Sequence, residues 1–154
     1  MQPLRLTEMM KEETYKMIRE VSVLVFLAVN AWTDSQKREI SLLAVLLFAA
    51  GGLLWSLQSG RSIFHALIPL GTGMVVLVLA VLTRGAVGMG DAWVLLDLGI
   101  VLETGEFLIT VCLGVLLSGG CAMILLALKK AGRRTEIPFV PFLLAGYVGG
   151  LLLY

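Results

Sequence analysis

Long apolar runs separated by short polar ones make up most of the chain. Residues 62–82 and 107–128 contain no Lys, Arg, Asp or Glu, and each reaches the roughly 20 residues that a helical bilayer crossing needs. Residues 42–57 form a slightly shorter run, and residues 137–154 another. Segments 18–34 and 91–103 are marginal, the first because its apolar centre is short and the second because it carries Asp97. Backbone groups in lipid must be satisfied internally, and the alternation that marks a membrane barrel is absent. The pattern therefore predicts an all-α, polytopic membrane protein with six transmembrane helices in a single domain, 1–154.

Residues 1–17 break the pattern. Arg5, Lys11 and Lys16 are interspersed with Glu8, Glu12 and Glu13, while Leu6, Met9, Met10 and Met17 fall roughly at helical spacing. This reads either as an amphipathic helix lying on the bilayer surface or as a solvated tail. It lacks the apolar centre and the cleavage site of a signal peptide.

Composition sharpens the membrane reading. Hydrophobic residues are 58% of the chain, charged residues only 15%, and the mean hydropathy is +0.95. A soluble domain averages about 25% charged residues and could not hide this much apolar surface. The net charge of +1 argues against a nucleic-acid partner, which would call for a basic face. Lipids are the expected surroundings. Cys112 and Cys121 lie in an apolar run and read as small buried hydrophobes, not as a disulfide or metal pair. The single histidine, His65, reads as a packed side chain. No metal site is expected.

Short loops rich in Lys and Arg stay cytoplasmic. The first, third and fifth loops hold Lys37, Arg38, Arg84, Lys129, Lys130, Arg133 and Arg134, whereas the second and fourth hold only Arg61 beside Glu103 and Glu106. The odd loops are thus expected inside, with both termini outside. The basic stretch 129–134 also suits anionic lipid headgroups.

Acidic residues at membrane depth are costly and are functional candidates by default. Asp34 ends the first predicted span and Asp91 begins the fourth, which brings both to the cytoplasmic side. Two carboxylates at one depth can share a proton, one acting as base and the other as acid. Gly88 and Gly90 clear side chains from beside Asp91 and let another chain approach it. The plainer alternative is an Asp capping a helix after a Gly-containing loop. Asn30 lies one turn before Asp34 on the same face, placed either to hydrogen-bond it or to pack against a neighbouring helix. Asp97 lies about 120° around the helix from Asp91, so it is not expected in the pair.

Taken together, three stretches resemble one family. Gly88-Met89-Gly90-Asp91, followed by Leu95 and Gly99, is similar to the second motif of type IV prepilin peptidases, membrane aspartyl proteases of the GxGD class. Asp34 followed by Arg38 and Ile40 resembles their first motif. Glu136-Ile137-Pro138-Phe139-Val140-Pro141-Phe142 resembles their Ile-Pro-Phe-Gly-Pro-Phe stretch. The motifs occur in family order, and the resemblance covers residues 20–154. Two positions depart from it. Trp93 stands where the family usually has Lys, and Ser41-Leu42 where Pro-Asn is common, which removes a helix-start signal.

The resemblance implies a hydrolase that cleaves the leader peptide of a prepilin-like substrate at the cytoplasmic face of a prokaryotic plasma membrane. Asp34 and Asp91 would be catalytic, with Gly88, Gly90, Pro138, Phe139 and Pro141 lining the cleavage site. No cofactor is implied. The paired Cys-x-x-Cys insert of the methylating members is absent, so the chain looks like the short, cleavage-only form related to the enzymes of tight-adherence pili. Glu39 and Glu136, both expected at the cytoplasmic face, read either as contacts for a basic leader or as solvated side chains. Helix dipoles favour an ionised Asp91 at a helix start and a protonated Asp34 at a helix end. The rival class is a small transporter or channel subunit carrying ions or protons on the same carboxylates, or a non-catalytic relative.

Overall fold

The computed structural model describes residues 3–37, 40–58, 63–82, 88–128 and 137–153. Among these are six α-helices and no strand: α1 (Pro3–Lys37), α2 (Leu42–Gln58), α3 (Ile63–Leu82), α4 (Met89–Val101), α5 (Thr104–Ala127) and α6 (Val140–Leu151). The helix order agrees with the expected runs, and the boundaries differ in instructive ways.

The expected surface helix is not separate. Residues 3–17 continue without interruption into the first apolar run, giving one helix of 35 residues, about 50 Å long at 1.5 Å per residue. Along α1 the residues Arg19, Val23, Phe26, Leu27, Asn30, Ala31 and Asp34 are all buried. Their three- and four-residue spacing makes one inward stripe. Val21, Val25, Val29 and Trp32 face outward. The hydroxyls of Thr14, Ser22 and Thr33 donate to the carbonyls of Met10, Ile18 and Val29, four residues back, so these polar groups need no water.

At the centre is α4, packed chiefly on α3 and α2. It runs through closely fitted glycines. A Cβ on Gly73 of α3 would lie 2.9 Å from the Leu96 side chain, and one on Gly99 of α4 would lie 3.1 Å from the Pro69 carbonyl carbon. The α5–α6 pair is tighter still. A Cβ on Gly146 would stand 2.6 Å from the Thr110 carbonyl oxygen and 2.8 Å from the Gly114 nitrogen. Small residues four apart on each helix let the backbones touch, as membrane helices commonly do.

Two residues connect α4 to α5. Glu103 caps α5 reciprocally with Glu106, and its N–H donates to Glu106 Oε2 at 3.2 Å. The Arg19 guanidinium donates to Glu106 Oε1 at 2.6 Å, tying the middle of α1 to this corner. The core between them is apolar, built on Leu27, Leu98, Phe107, Leu143, Val23 and Val94.

The outer surface is apolar to an unusual degree, with Leu46, Leu47, Leu54, Val75, Leu116 and Met123 all exposed. Soluble monomers seldom leave large apolar side chains exposed side by side in this way. Of the described helices, α5 is long and apolar enough by itself to cross a bilayer; α2, Leu67–Leu82 and α6 are shorter apolar helices. Cys112 and Cys121, expected to be buried, are exposed and half-buried on α5, and both are free thiols. Lipid-facing Cys is physically equivalent to buried Cys in a bilayer, so the apolar run alone could not separate the two. His65 belongs to α3, but its side chain lies outside the described residues, as do Arg38, Glu39, Arg61, Arg84 and the 129–136 loop with Glu136.

Candidate active site

The three motif stretches meet at one end of the helix bundle. Asp34 does not end its helix, as the sequence suggested; α1 runs on to Lys37. The Asp34 side chain is buried, and its Oδ2 accepts a hydrogen bond of 3.2 Å from the Val140 N–H. That donor has a clear origin. Pro138 and Phe139 precede α6, so Val140 is its first residue and Pro141 its second. The first N–H groups of a helix have no partner within it, and Pro141 has none to offer. The free N–H of Val140 is thus directed to the carboxylate, placing Asp34 at the positive end of α6. Pro138 stands two residues before the helix and Pro141 in its first turn, a position Pro tolerates. Phe139 accepts from Phe142 and Leu143 through its carbonyl, which closes that turn.

Asp91 lies in the first turn of α4, half-buried, after Gly88 as N-cap. It is close enough to Asp34 for the charge on one carboxylate to bear on the other. The two glycines of this motif do different things. A Cβ on Gly88 would stand 2.7 Å from Asp91 Oδ2, and a Cβ on Gly90 would collide with Ile40. Gly88 leaves the carboxylate open, and Gly90 is the seat for Ile40. Gly88 has an ordinary φ of −58°, so space and not backbone conformation demands glycine here. The Ile of the first motif therefore docks on the Gly of the second.

The departure at Ser41 costs no helix start. The Ser41 hydroxyl accepts from the Ala44 N–H at 3.4 Å and its carbonyl from the Val45 N–H at 3.0 Å, an N-cap in its own right. Trp93 is exposed two residues beyond Asp91. Asn30 is fully buried, and its Nδ2 donates to the Phe26 carbonyl at 2.9 Å, turning the amide back along α1. Asp97 is buried within α4, away from the pair.

Two contributions escaped sequence reasoning. The Val140 backbone N–H is one, although an unpaired donor is foreseeable at the helix start between Phe139 and Pro141. The Ile40 contact with Gly90 is the other, and no local signal announces it. Far from this site, about 22 Å along α1 between Asp34 and Arg19, a cavity of about 250 Å³ is lined by Lys16, Glu20, Glu106, Thr110, Tyr147 and Gly150. It takes no part in the pairing of Asp34 with Asp91. No group of three or more potential metal-ligating side chains occurs among the described residues.

Comparison with known proteins gives one match: the description of the type IV leader peptidase family covers residues 21–154. No curated protein and no solved structure matches the chain.

Proposed function

The chain belongs to the type IV leader peptidase family, and from that premise we propose that it is a six-span membrane aspartyl endopeptidase. It removes the basic leader of a prepilin-like protein at the cytoplasmic face, cutting beside a Gly ahead of the substrate's hydrophobic helix. One observation supports the reading above all: the three motif stretches converge, with Asp34 bonded to the Val140 N–H and Ile40 seated on Gly90 beside Asp91.

The chemistry follows from the pair. An ionised Asp takes a proton from water, and the water oxygen attacks the scissile carbonyl. The other, protonated Asp donates a hydrogen bond to the carbonyl oxygen as negative charge develops there. The leaving amine then receives a proton from the pair, and the peptide C–N bond breaks. Two nearby carboxylates resist double ionisation, so they share one proton.

The Val140 N–H changes which member is the base. Dipole reasoning placed Asp34 at the unfavourable end of its own helix, but Asp34 faces the favourable end of α6 and holds a fixed donor. A donor to the charged form stabilises it. Asp34 is then the base and Asp91 the proton donor. Gly88 leaves Asp91 uncovered for the substrate carbonyl, and Pro138, Phe139 and Pro141 border the substrate strand.

Co-expression with prepilin-like proteins from the same genome tests this reading. The leader-loss shift on a gel is expected with the wild-type chain and absent with Asp34→Asn or Asp91→Asn. Full cleavage by either variant overturns it.

A further inference from the structure

Two buried polar oxygens have no partner. Asn30 is fully buried and Asp97 is 3% exposed, and neither Asn30 Oδ1 nor Asp97 Oδ2 has a hydrogen bond. The Asn30 Nδ2 is already engaged with Phe26. Buried acceptors left unpaired are costly, and native structures rarely keep them.

Both atoms belong to the same junction. Phe26 of α1 stacks on Phe48 of α2 at 4.0 Å, and Asn30 lies one turn beyond Phe26. Gly52 of α2 sits against Val101 of α4, where an added Cβ would come within 2.8 Å, and Asp97 lies one turn before Val101. Residues four apart share a helix face, so Asn30 and Asp97 both stand on faces turned towards α2. Their depths also correspond. Asn30 is about 6 Å along α1 from Asp34, and Asp97 about 9 Å along α4 from Asp91.

The α2, α3 and α6 helices contain no Lys, Arg, Asp or Glu, and α3 carries the titratable His65. The one charge of α5 is Glu106 in its first turn, and the buried cation of α1, Arg19, is engaged with Glu106. Asp97 enters no ion pair among the described residues. Two oxygens are also too few to cage a hard metal ion. An ionised carboxylate and an amide oxygen are both acceptors and cannot satisfy each other; a carboxylic acid has a donor.

We propose that Asp97 is an un-ionised carboxylic acid whose O–H is hydrogen-bonded to Asn30 Oδ1, directly or through one water, across the α1–α2–α4 junction. The bond fixes the height of α1 against α4, the two helices that carry Asp34 and Asp91. Asp97 is thereby a positioning residue, a role that rests on the peptidase reading; the bond itself does not.

Infrared difference spectroscopy on the full chain in lipid nanodiscs at neutral pH tests the bond without any substrate. The wild type minus Asp97→Asn spectrum should contain the carbonyl stretch of an un-ionised acid. That band should shift in D2O and shift again in an Asn30→Leu background. A carboxylate signal in its place, or a band that Asn30→Leu leaves unmoved, overturns the proposal. Cleavage kinetics test the role, with a fusion carrying a basic leader, a Gly and a hydrophobic helix as probe. Asp97→Asn should keep kcat within about threefold, because its amide N–H replaces the acid O–H. Asp97→Leu should lower kcat at least tenfold at unchanged KM. Full activity in Asp97→Leu overturns the positioning role. Failure of the wild type to cleave overturns the peptidase reading, and the infrared result still decides the bond.

Discussion

At the residue scale, the site depends on what is left out as much as on what is present. In the proposed mechanism Asp34 and Asp91 supply the chemistry, while Gly88 and Gly90 make room beside Asp91 and Ile40. Asn at position 34 keeps an oxygen that can accept the Val140 N–H but loses proton exchange. Asp34→Asn and Asp91→Asn should each abolish cleavage while leaving the protein folded in detergent, as read by size-exclusion profile and thermal unfolding. The glycines make a sharper comparison. Gly90→Ala drives a methyl into Ile40; overpacking of this kind costs about 1–3 kcal/mol. Displacement of the Asp91 turn by even about 1 Å should lower cleavage on the order of a hundredfold. Gly51→Ala adds its methyl where nothing lies within 4 Å. It should leave cleavage unchanged and raise stability by up to about 1 kcal/mol. Equal effects of the two substitutions would contradict the spatial account of the motif.

At the element scale, α1 is tied to its neighbours by two polar contacts, beside the Phe26–Phe48 stack on α2. Its C-terminal end meets α6 through Asp34 and Val140, and its middle meets the α4–α5 corner through Arg19 and Glu106. Arg19 is 9% exposed and Glu106 20%, so this ion pair is well shielded from solvent. Removing one partner of such a pair leaves an uncompensated charge, at roughly 3–5 kcal/mol. Arg19→Met should therefore destabilise strongly in thermal unfolding, and Arg19→Met with Glu106→Leu should recover more than half of the loss. An additive double variant would mean that the two side chains act independently. The α5–α6 contact is equally specific. Gly146→Ala places a methyl against the Thr110 carbonyl and should shift α6, and with it the Val140 donor, so cleavage should fall along with stability.

At the scale of the whole molecule, the site and the Arg19 corner occupy opposite ends of an apolar body. Between Glu106 and Ala127, α5 carries no charge over about 31 Å, close to the roughly 30 Å of a bilayer core. The proposed orientation, with Asp34 and Asp91 inside the cell, rests on the Lys and Arg of the odd-numbered loops. Accessibility labelling checks the orientation after Cys112 and Cys121 are replaced. A single cysteine placed in the 129–136 loop should react only from the cytoplasmic side, and one at Glu103 only from outside. Labelling of the 129–136 loop from outside would invert the molecule and remove the site from the cytoplasm.

The helical class was legible in the sequence, because hydropathy over about 20 residues responds to helix length and to little else. The family was legible too, because Gly88-Met89-Gly90-Asp91 and the Pro138 to Pro141 stretch are local and keep their spacing whatever surrounds them. Helix boundaries were less so. The apolar run around residues 18–34 does not reveal that α1 reaches back to Pro3, since polar residues continue a helix as well as apolar ones once it is nucleated. Ser41 looked like a lost helix start and is a cap, since capping turns on one hydroxyl's geometry. Hydropathy assigned Cys112 to the interior because a lipid-facing position and a core position have the same composition. Contacts between distant segments were decided only in three dimensions. The Val140 N–H on Asp34 spans 106 positions, Ile40 sits on Gly90, and Asn30 and Asp97 come to stand on faces turned towards α2. A sequence records which residues can donate, accept or make room; which of them meet depends on how helices pack, and that sets which carboxylate the α6 N-terminus holds.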